Sequence, residues 1–194
     1  MRVRSKGVAF LAALVYGMIA VFVAGLMVGR TPEFLGKKIE KPEVILVSLA
    51  LLIHPLVILT PSSWSMIVPY GVSSLANEGM HGYSEVLYAF STAAADNGSA
   101  FAGLNGNTPW YNSALAVVIF LGRYPPIIFM MAVAGSVAAK PTQPFTLGTL
   151  RTDSLLFGVF WFAVILIVGA LTFVPALVLG PIAEFFAMKN HIVF

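Results

Sequence analysis

Residues Tyr83 to Leu104 read YSEVLYAFSTAAADNGSAFAGL, and the order of residue types in this stretch decides which folds are open to the chain. From Glu85 onward, about a dozen residues have helical character, whereas a helix needs about 20 to cross a hydrocarbon core of about 30 Å. They run directly into Asp96-Asn97-Gly98-Ser99, where Gly98 allows backbone angles that strain other residues. Irregular backbone at membrane depth persists only where protein or a water-filled cavity satisfies it. The stretch therefore reads in one of two ways. It is either a short re-entrant helix, Ser84 to Ala95, followed by a pore-like loop reaching Ala100, or an external loop with an Asp-Asn-Gly turn. Composition alone leaves both open.

The flanking sequence supplies the membrane. The 194 residues are 59% apolar and 10% charged, with no cysteine, and the mean hydropathy is +0.91. Soluble domains run to about 45–50% apolar and about 25% charged, so the bilayer is the solvent to test. Four long apolar runs appear: Val8 to Val28, Val44 to Thr60, Ser113 to Ala139, and Ser154 to about Met188. The first follows Arg2, Arg4 and Lys6, as a secretory signal would, but it exceeds an apolar signal core of about 7–15 residues and lacks a convincing cleavage site. An uncleaved helix is the expectation. Pro55 should kink the second run and Pro61 should end it, while Pro175 and Pro181 should interrupt the last.

Loop charge sets the orientation. The segment Pro61 to Asn112 contains no Lys or Arg, whereas Gly29 to Glu43 contains 4. The positive-inside rule then places the first outside and Lys37 and Lys38 inside.

The chemistry offered is that of cation binding without catalysis. Backbone carbonyls at the end of a short re-entrant helix can replace the hydration shell of a monovalent cation. Arg123, inside the third apolar run, would cost at least about 2.5–3.5 kcal/mol at the bilayer centre. It must snorkel to an interface, pair with a carboxylate such as Asp96, or shape a cation path. His54 could bind a metal or relay a proton, but no His, Asp or Glu lies three or four residues on to complete a site. There is no phosphate-binding loop, no dinucleotide fingerprint and no phosphorylation motif. Nor is there the basic patch with interleaved aromatics of a nucleic-acid binder.

Four stretches carry a family resemblance: RTPEFLGKKIE (Arg30 to Glu40), HGYSEVLYAFSTAAADNGSAFAGL (His81 to Leu104), GRYPPIIFMMAVAGS (Gly122 to Ser136) and GALTFVPALVLGPIAE (Gly169 to Glu184). From about Val21 onward the chain resembles the C-terminal part of KdpA, the potassium-binding subunit of the bacterial Kdp potassium-transporting ATPase. The resemblance implies an all-α integral membrane protein of about four transmembrane helices plus one re-entrant pore helix and filter loop. That arrangement is the fourth repeat of a potassium-channel-like helix-pore-helix fold. Residues 1–43 would hold the closing helix of the third repeat and a cytoplasmic loop. Residues 44–139 would form the fourth repeat, and 140–194 a cytoplasmic loop and the final helix.

Carried over position by position, the resemblance implies a K+ filter contribution from Asn97, Gly98 and Ser99, with Asp96 beside them, and an ion-path role for Arg123. It implies K+ as the transported ion with no other cofactor, and KdpB, where ATP is hydrolysed, KdpC and KdpF as partners in the bacterial inner membrane. Asp96 and Ala95 stand where the family pattern has asparagine, and Phe129 where it has proline. The opening MRVRSKG departs from the family and reads as a new start on an internal helix. The other three filter segments would then come from another polypeptide, or from several copies assembling. The competing reading is a truncated, non-transporting remnant, or a membrane assembly or regulatory protein.

Overall fold

The architecture follows from where the apolar runs can stop. A computed structural model of the protein describes residues 2–77, 79–99, 103–144 and 150–190, with side chains except at 2–10, 171–177 and 179. The first helix, α1 (Arg2–Val28), ends where Gly29 adopts a φ of 67° and the Arg30 amide turns back to the Gly25 carbonyl at 2.9 Å. A residue in the left-handed region with a six-to-one hydrogen bond is the Schellman closure of a helix. A hairpin follows, β1 (Glu33–Phe34) and β2 (Lys37–Lys38), paired antiparallel with Phe34 opposite Lys37. Its two-residue turn, Leu35-Gly36, has φ of 51° and 73°, the two positive angles that a type I′ turn requires.

The second long helix, α2 (Lys41–Ile67), contains both Pro55 and Pro61 and runs past the stop expected at Thr60. Each proline removes a single amide, which leaves the rest of the ladder intact, and the neighbouring serine hydroxyls bond within the helix: Ser62 donates to the Ile58 carbonyl at 2.6 Å and Ser65 to the Pro61 carbonyl at 2.8 Å. Such local bonding lets a membrane helix tolerate proline. A short turn, α3 (Pro69–Val72), and a 16-residue helix, α4 (Gly79–Ala94), come next. Helix α4 begins five residues before the expected Ser84, because Gly79, at φ 62°, makes the turn into it.

Helix α5 (Pro109–Ala139) starts earlier than the expected Ser113. Proline fits the first helical position, and the Thr108 hydroxyl accepts the Tyr111 amide at 3.4 Å. Ser154 caps α6 (Leu155–Lys189) through the Phe157 amide. This last helix is continuous through Pro175 and Pro181, in place of the expected interruption. Among the described residues, three helices have the length and apolar character to cross a membrane: α1 from Leu11 to Val28, α2 and α5. Leu52, Leu56, Val117, Phe120, Ile128 and Met131 are each at least 56% exposed, a surface that suits hydrocarbon and not water.

The chain divides into two units, Met1–Leu51 with Pro126–Gly169, and Leu52–Pro125 with Ala170–Phe194. In the first, Val15, Met18, Ile39, Val47 and Val133 form one cluster, and Ala20, Val21 and Phe157 another. Beside them Glu43 is fully buried. It accepts the Glu40 amide at 2.9 Å, half of a capping box at the start of α2, and it also accepts the Ser136 hydroxyl. The Lys140 ammonium meets Glu43 at 2.8 Å and Glu40 at 3.0 Å, and donates to the Lys38 carbonyl at 3.1 Å. Lys37 in turn donates to the Lys140 carbonyl. The hairpin, the start of α2 and the end of α5 are thereby pinned together.

Partial burial disfavours the Lys140 ammonium, yet its hydrogen bonds and charge attraction to Glu43 and Glu40 prevail and hold its pKa above the usual 10.5. The Glu40 carboxyl is held below its usual 4.5 by hydrogen bonds to Lys140 and Lys38. Glu40's contribution is complete above about pH 4.5 and fades as the pH falls through its lowered pKa, while that of Lys140 is complete below about pH 10.5 and fades above it. Removing Lys140 would leave a buried carboxylate without its cation, at a cost on the order of 3 kcal/mol. Lys140→Met should therefore lower the midpoint of thermal unfolding in detergent by several degrees at pH 7. The gap between the two proteins should narrow on acidification below about pH 4.5, and a gap independent of pH would rule out the ion pairs as its source.

Candidate cation site at the end of α4

The second unit is built around α4. Val86, Phe90, Ala93 and Ala94 of this helix pack with Val57 and Ile58 of α2 and with Tyr111 and Val118 of α5. Tyr111, fully buried, donates its hydroxyl to the Gly71 carbonyl at 3.1 Å, and the Trp110 indole donates to Ser65 at 2.9 Å. The end of α4 is seated on α5 at Gly122, where a Cβ would come within 2.8 Å of the Ala94 Cα. From α2, His54 lies close to the Ala94 carbonyl and the Asp96 carboxylate at the end of α4, a position its isolated place in the sequence did not disclose.

The segment after α4 folds back on the helix. Asp96 takes a φ of 54°. Its amide donates to the Ala93 carbonyl at 3.0 Å, and the Asn97 amide to the Thr92 carbonyl at 3.0 Å. This is the same Schellman closure that ends α1, with aspartate where α1 has glycine. The Gly98 amide reaches the Thr92 carbonyl at 3.4 Å, and the Ser99 amide the Thr92 hydroxyl at 3.0 Å. Four successive amides thus point at the last turn of α4.

A trans peptide sets its carbonyl opposite to the following amide, and no peptide bond described is cis. The carbonyls of Ala95, Asp96, Asn97 and Gly98 consequently face away from α4. That of Ser99 is set by the peptide to residue 100, which lies outside the described residues. The Ser99 hydroxyl accepts the Asn97 side-chain amide at 2.9 Å.

The charges at this terminus are opposed. A helix C-terminus carries about half a negative charge, and the Asp96 carboxylate adds a full one. Opposite it, Arg123 Nε lies 2.7 Å from Asp96 Oδ2, with the arginine side chain 49% exposed and the aspartate 16%. Of the alternatives for Arg123, pairing with Asp96 is the one observed. Ala93, Asp96, Gly98, Ile119 and Arg123 line a cavity of about 140 Å³. Asn97, Gly98, Asp96 and Arg123 are thus brought together, while Thr92 and Gly122, which hold the arrangement, and His54 beside it are the residues that sequence reading missed. The signal was faint: a histidine-proline pair inside an apolar run, and a glycine one position before the intramembrane arginine. Among the described residues, no group of three His, Asp or Glu side chains could hold a metal ion.

Long exposed apolar helices, with a short helix that ends in a polar loop, define a predominantly helical integral membrane protein. The family model of KdpA, the potassium-transporting ATPase A subunit, matches residues 2–186. The chain belongs to the KdpA family. It is 56% identical over 179 residues to the potassium-transporting ATPase potassium-binding subunit of Alicyclobacillus acidocaldarius, a match covering 92% of this chain and 32% of that protein. The subunit of the same description from Geobacillus kaustophilus is 51% identical over 183 residues, covering 94% of this chain and 33% of the relative. That of Mesorhizobium japonicum is 54% identical over 182 residues, covering 94% and 32%. The chain thus spans about a third of the length of these relatives. The family match reaches back to residue 2, well before the Val21 at which the recognisable stretches begin.

Gly122→Ala should displace the end of α4, because the added Cβ has no room against Ala94. The expected result is a lower unfolding temperature in detergent, with α-helical circular dichroism retained at low temperature. Unchanged stability would mean that α4 is not seated on Gly122.

Proposed function

We propose that this chain is part of the potassium-binding, channel-like subunit of a potassium-importing ATPase and takes up extracytoplasmic K+ at Asn97, Gly98 and Ser99, with Asp96 beside them. The observation that carries the reading is the closure of α4 on Thr92, which turns a run of backbone carbonyls outward at the negative end of a helix. Carbonyl oxygens so arranged can stand in for the hydration shell of K+. Residues 44–139 act as one helix-pore-helix repeat, with the segment between α2 and α5, residues 68–108, facing outside. Residues 1–43 and 140–194 supply the flanking helices and the loops on the inner side.

One loop supplies one side of a coordination shell. The remaining sides come from the part of the subunit that this third of the relatives' length does not span. The chain itself is non-catalytic: ATP is hydrolysed in the KdpB subunit, with KdpC and KdpF alongside, in the bacterial inner membrane. Arg123 moderates the ion path by offsetting the Asp96 carboxylate, so that a bound cation can also leave.

The test is growth at micromolar potassium of a bacterium stripped of high-affinity potassium uptake. Expression of this chain with the ATPase subunits and a polypeptide carrying the rest of the relatives' length should rescue growth, and omission of this chain should abolish the rescue. Failure with all proteins confirmed in the membrane would favour a non-transporting role. In the rescued system, Gly98→Asp should abolish potassium-stimulated ATP hydrolysis while the complex still assembles. Arg123→Leu should shift the apparent potassium affinity by about tenfold, or about 1.4 kcal/mol. An unchanged affinity would remove Arg123 from the ion path.

A further inference from the structure

Glu85 lies within α4, is fully buried, and has no part in the cation site as described so far. A carboxylate withdrawn from water must find hydrogen bonds or a counter-charge. Glu85 finds the chain that leads into α4: its Oε2 accepts the Ala76 amide at 3.3 Å, and its Oε1 accepts the Asn77 side-chain amide. That chain also lies on the helix at Gly82, where a Cβ would stand 2.9 Å from Leu75 Cδ1. On its other side Glu85 meets the chain that leaves the 96–99 loop. Gly103, at φ 146°, passes so close that a Cβ there would stand 2.9 Å from Glu85 Cδ. Two residues on, the Asn105 amide donates to the Ser74 carbonyl at 2.8 Å, joining the arriving and departing strands directly.

We infer that Glu85 is a positioning residue for the cation loop, a buried brace that ties residues 76–77 to α4 and forms the wall against which Gly103 seats. The loop is held at two points. The Thr92 cap fixes residues 96–99, and Glu85 seats the chain again at Gly103. Carbonyl positions that are fixed at both ends select among cations by size and coordination, whereas a loop anchored at one end adapts to several. The inference rests on the reading of residues 96–99 as the cation site. The bracing itself does not, and the experiment separates the two.

Glu85→Gln keeps the volume but turns an amide toward donors that need an acceptor. Hydrogen-deuterium exchange of the full chain in lipid nanodiscs should show the amides of residues 74–77 and 103–106 exchanging roughly tenfold faster than in the unaltered protein, as local opening becomes easier. Those of α1 should be unchanged. Asn77→Ala removes only one partner from an exposed position and should give an intermediate acceleration, which keeps the test decisive if Glu85→Gln fails to fold. In the assembled pump, the preference for K+ over Rb+ in stimulating ATP hydrolysis should fall by fivefold or more in both variants, with assembly intact. Unchanged exchange at 103–106 in either variant overturns the brace. Faster exchange with an unchanged ion preference overturns the positioning role. A pump with the unaltered chain that shows no potassium dependence overturns the cation-site reading, while the exchange data still decide the brace.

Discussion

A backbone amide in hydrocarbon has no water to turn to, and the segment after α4 meets that demand chiefly through one residue. Thr92 accepts the Asn97 and Gly98 amides on its carbonyl and the Ser99 amide on its hydroxyl. Once those amides face the helix, peptide planarity leaves the intervening carbonyls no choice of direction. The candidate site is in this sense a by-product of helix capping, built by satisfying donors on one side and leaving acceptors free on the other. Valine at this position would keep the helix and the shape but lose the third of these bonds, since only a hydroxyl there can accept the Ser99 amide.

The same closure ends α1, where Gly29 occupies the left-handed position without penalty. In α4 the position belongs to Asp96, for which the left-handed conformation costs roughly 1 kcal/mol or somewhat less, since aspartate tolerates it better than most residues. What aspartate adds is a carboxylate at the helix terminus within reach of Arg123. An ion pair with its arginine half exposed is worth up to about 1 kcal/mol, so pairing and strain nearly cancel. Stability gives little reason to prefer aspartate to glycine here, which leaves the charge itself as the distinguishing property.

Much of this was legible in the sequence, and the exceptions share a cause. The long apolar runs, the short helix ending at Ala94 and the polar loop after it follow from hydropathy and length, because the bilayer leaves few alternatives. The family resemblance, carried by stretches such as His81 to Leu104 and Gly122 to Ser136, is borne out by the family match. The helix ends were misjudged wherever a residue was taken to have one meaning. Pro61 was read as a stop and Pro175 and Pro181 as interruptions, yet a proline inside a membrane helix removes only one hydrogen bond, and in α2 Ser62 and Ser65 satisfy themselves on carbonyls one turn back. Gly122, His54 and Glu85 were illegible for a different reason. Each meets a residue distant in sequence, and nothing in the chain's local pattern announces that a glycine will lie under Ala94 or that a carboxylate will face Gly103.

Among the described residues two carboxylates are fully buried, Glu43 and Glu85, and their surroundings differ in a way that bears on how each unit works. Glu43 is answered by an ammonium, a hydroxyl and a capping amide, a set that pins secondary elements together at their ends and weakens when either charge is titrated. Glu85 is answered by the Ala76 backbone amide and the Asn77 side-chain amide, whose hydrogen bonds do not titrate in the physiological range, and the direction of the first is fixed by the backbone. An ammonium on a flexible stem can follow a carboxylate that moves, whereas a backbone amide cannot. A brace made of amides therefore transmits position where one made of flexible ions transmits only attraction. That distinction places the more rigid of the two devices behind the loop whose carbonyl positions would have to be held most closely for ion selection.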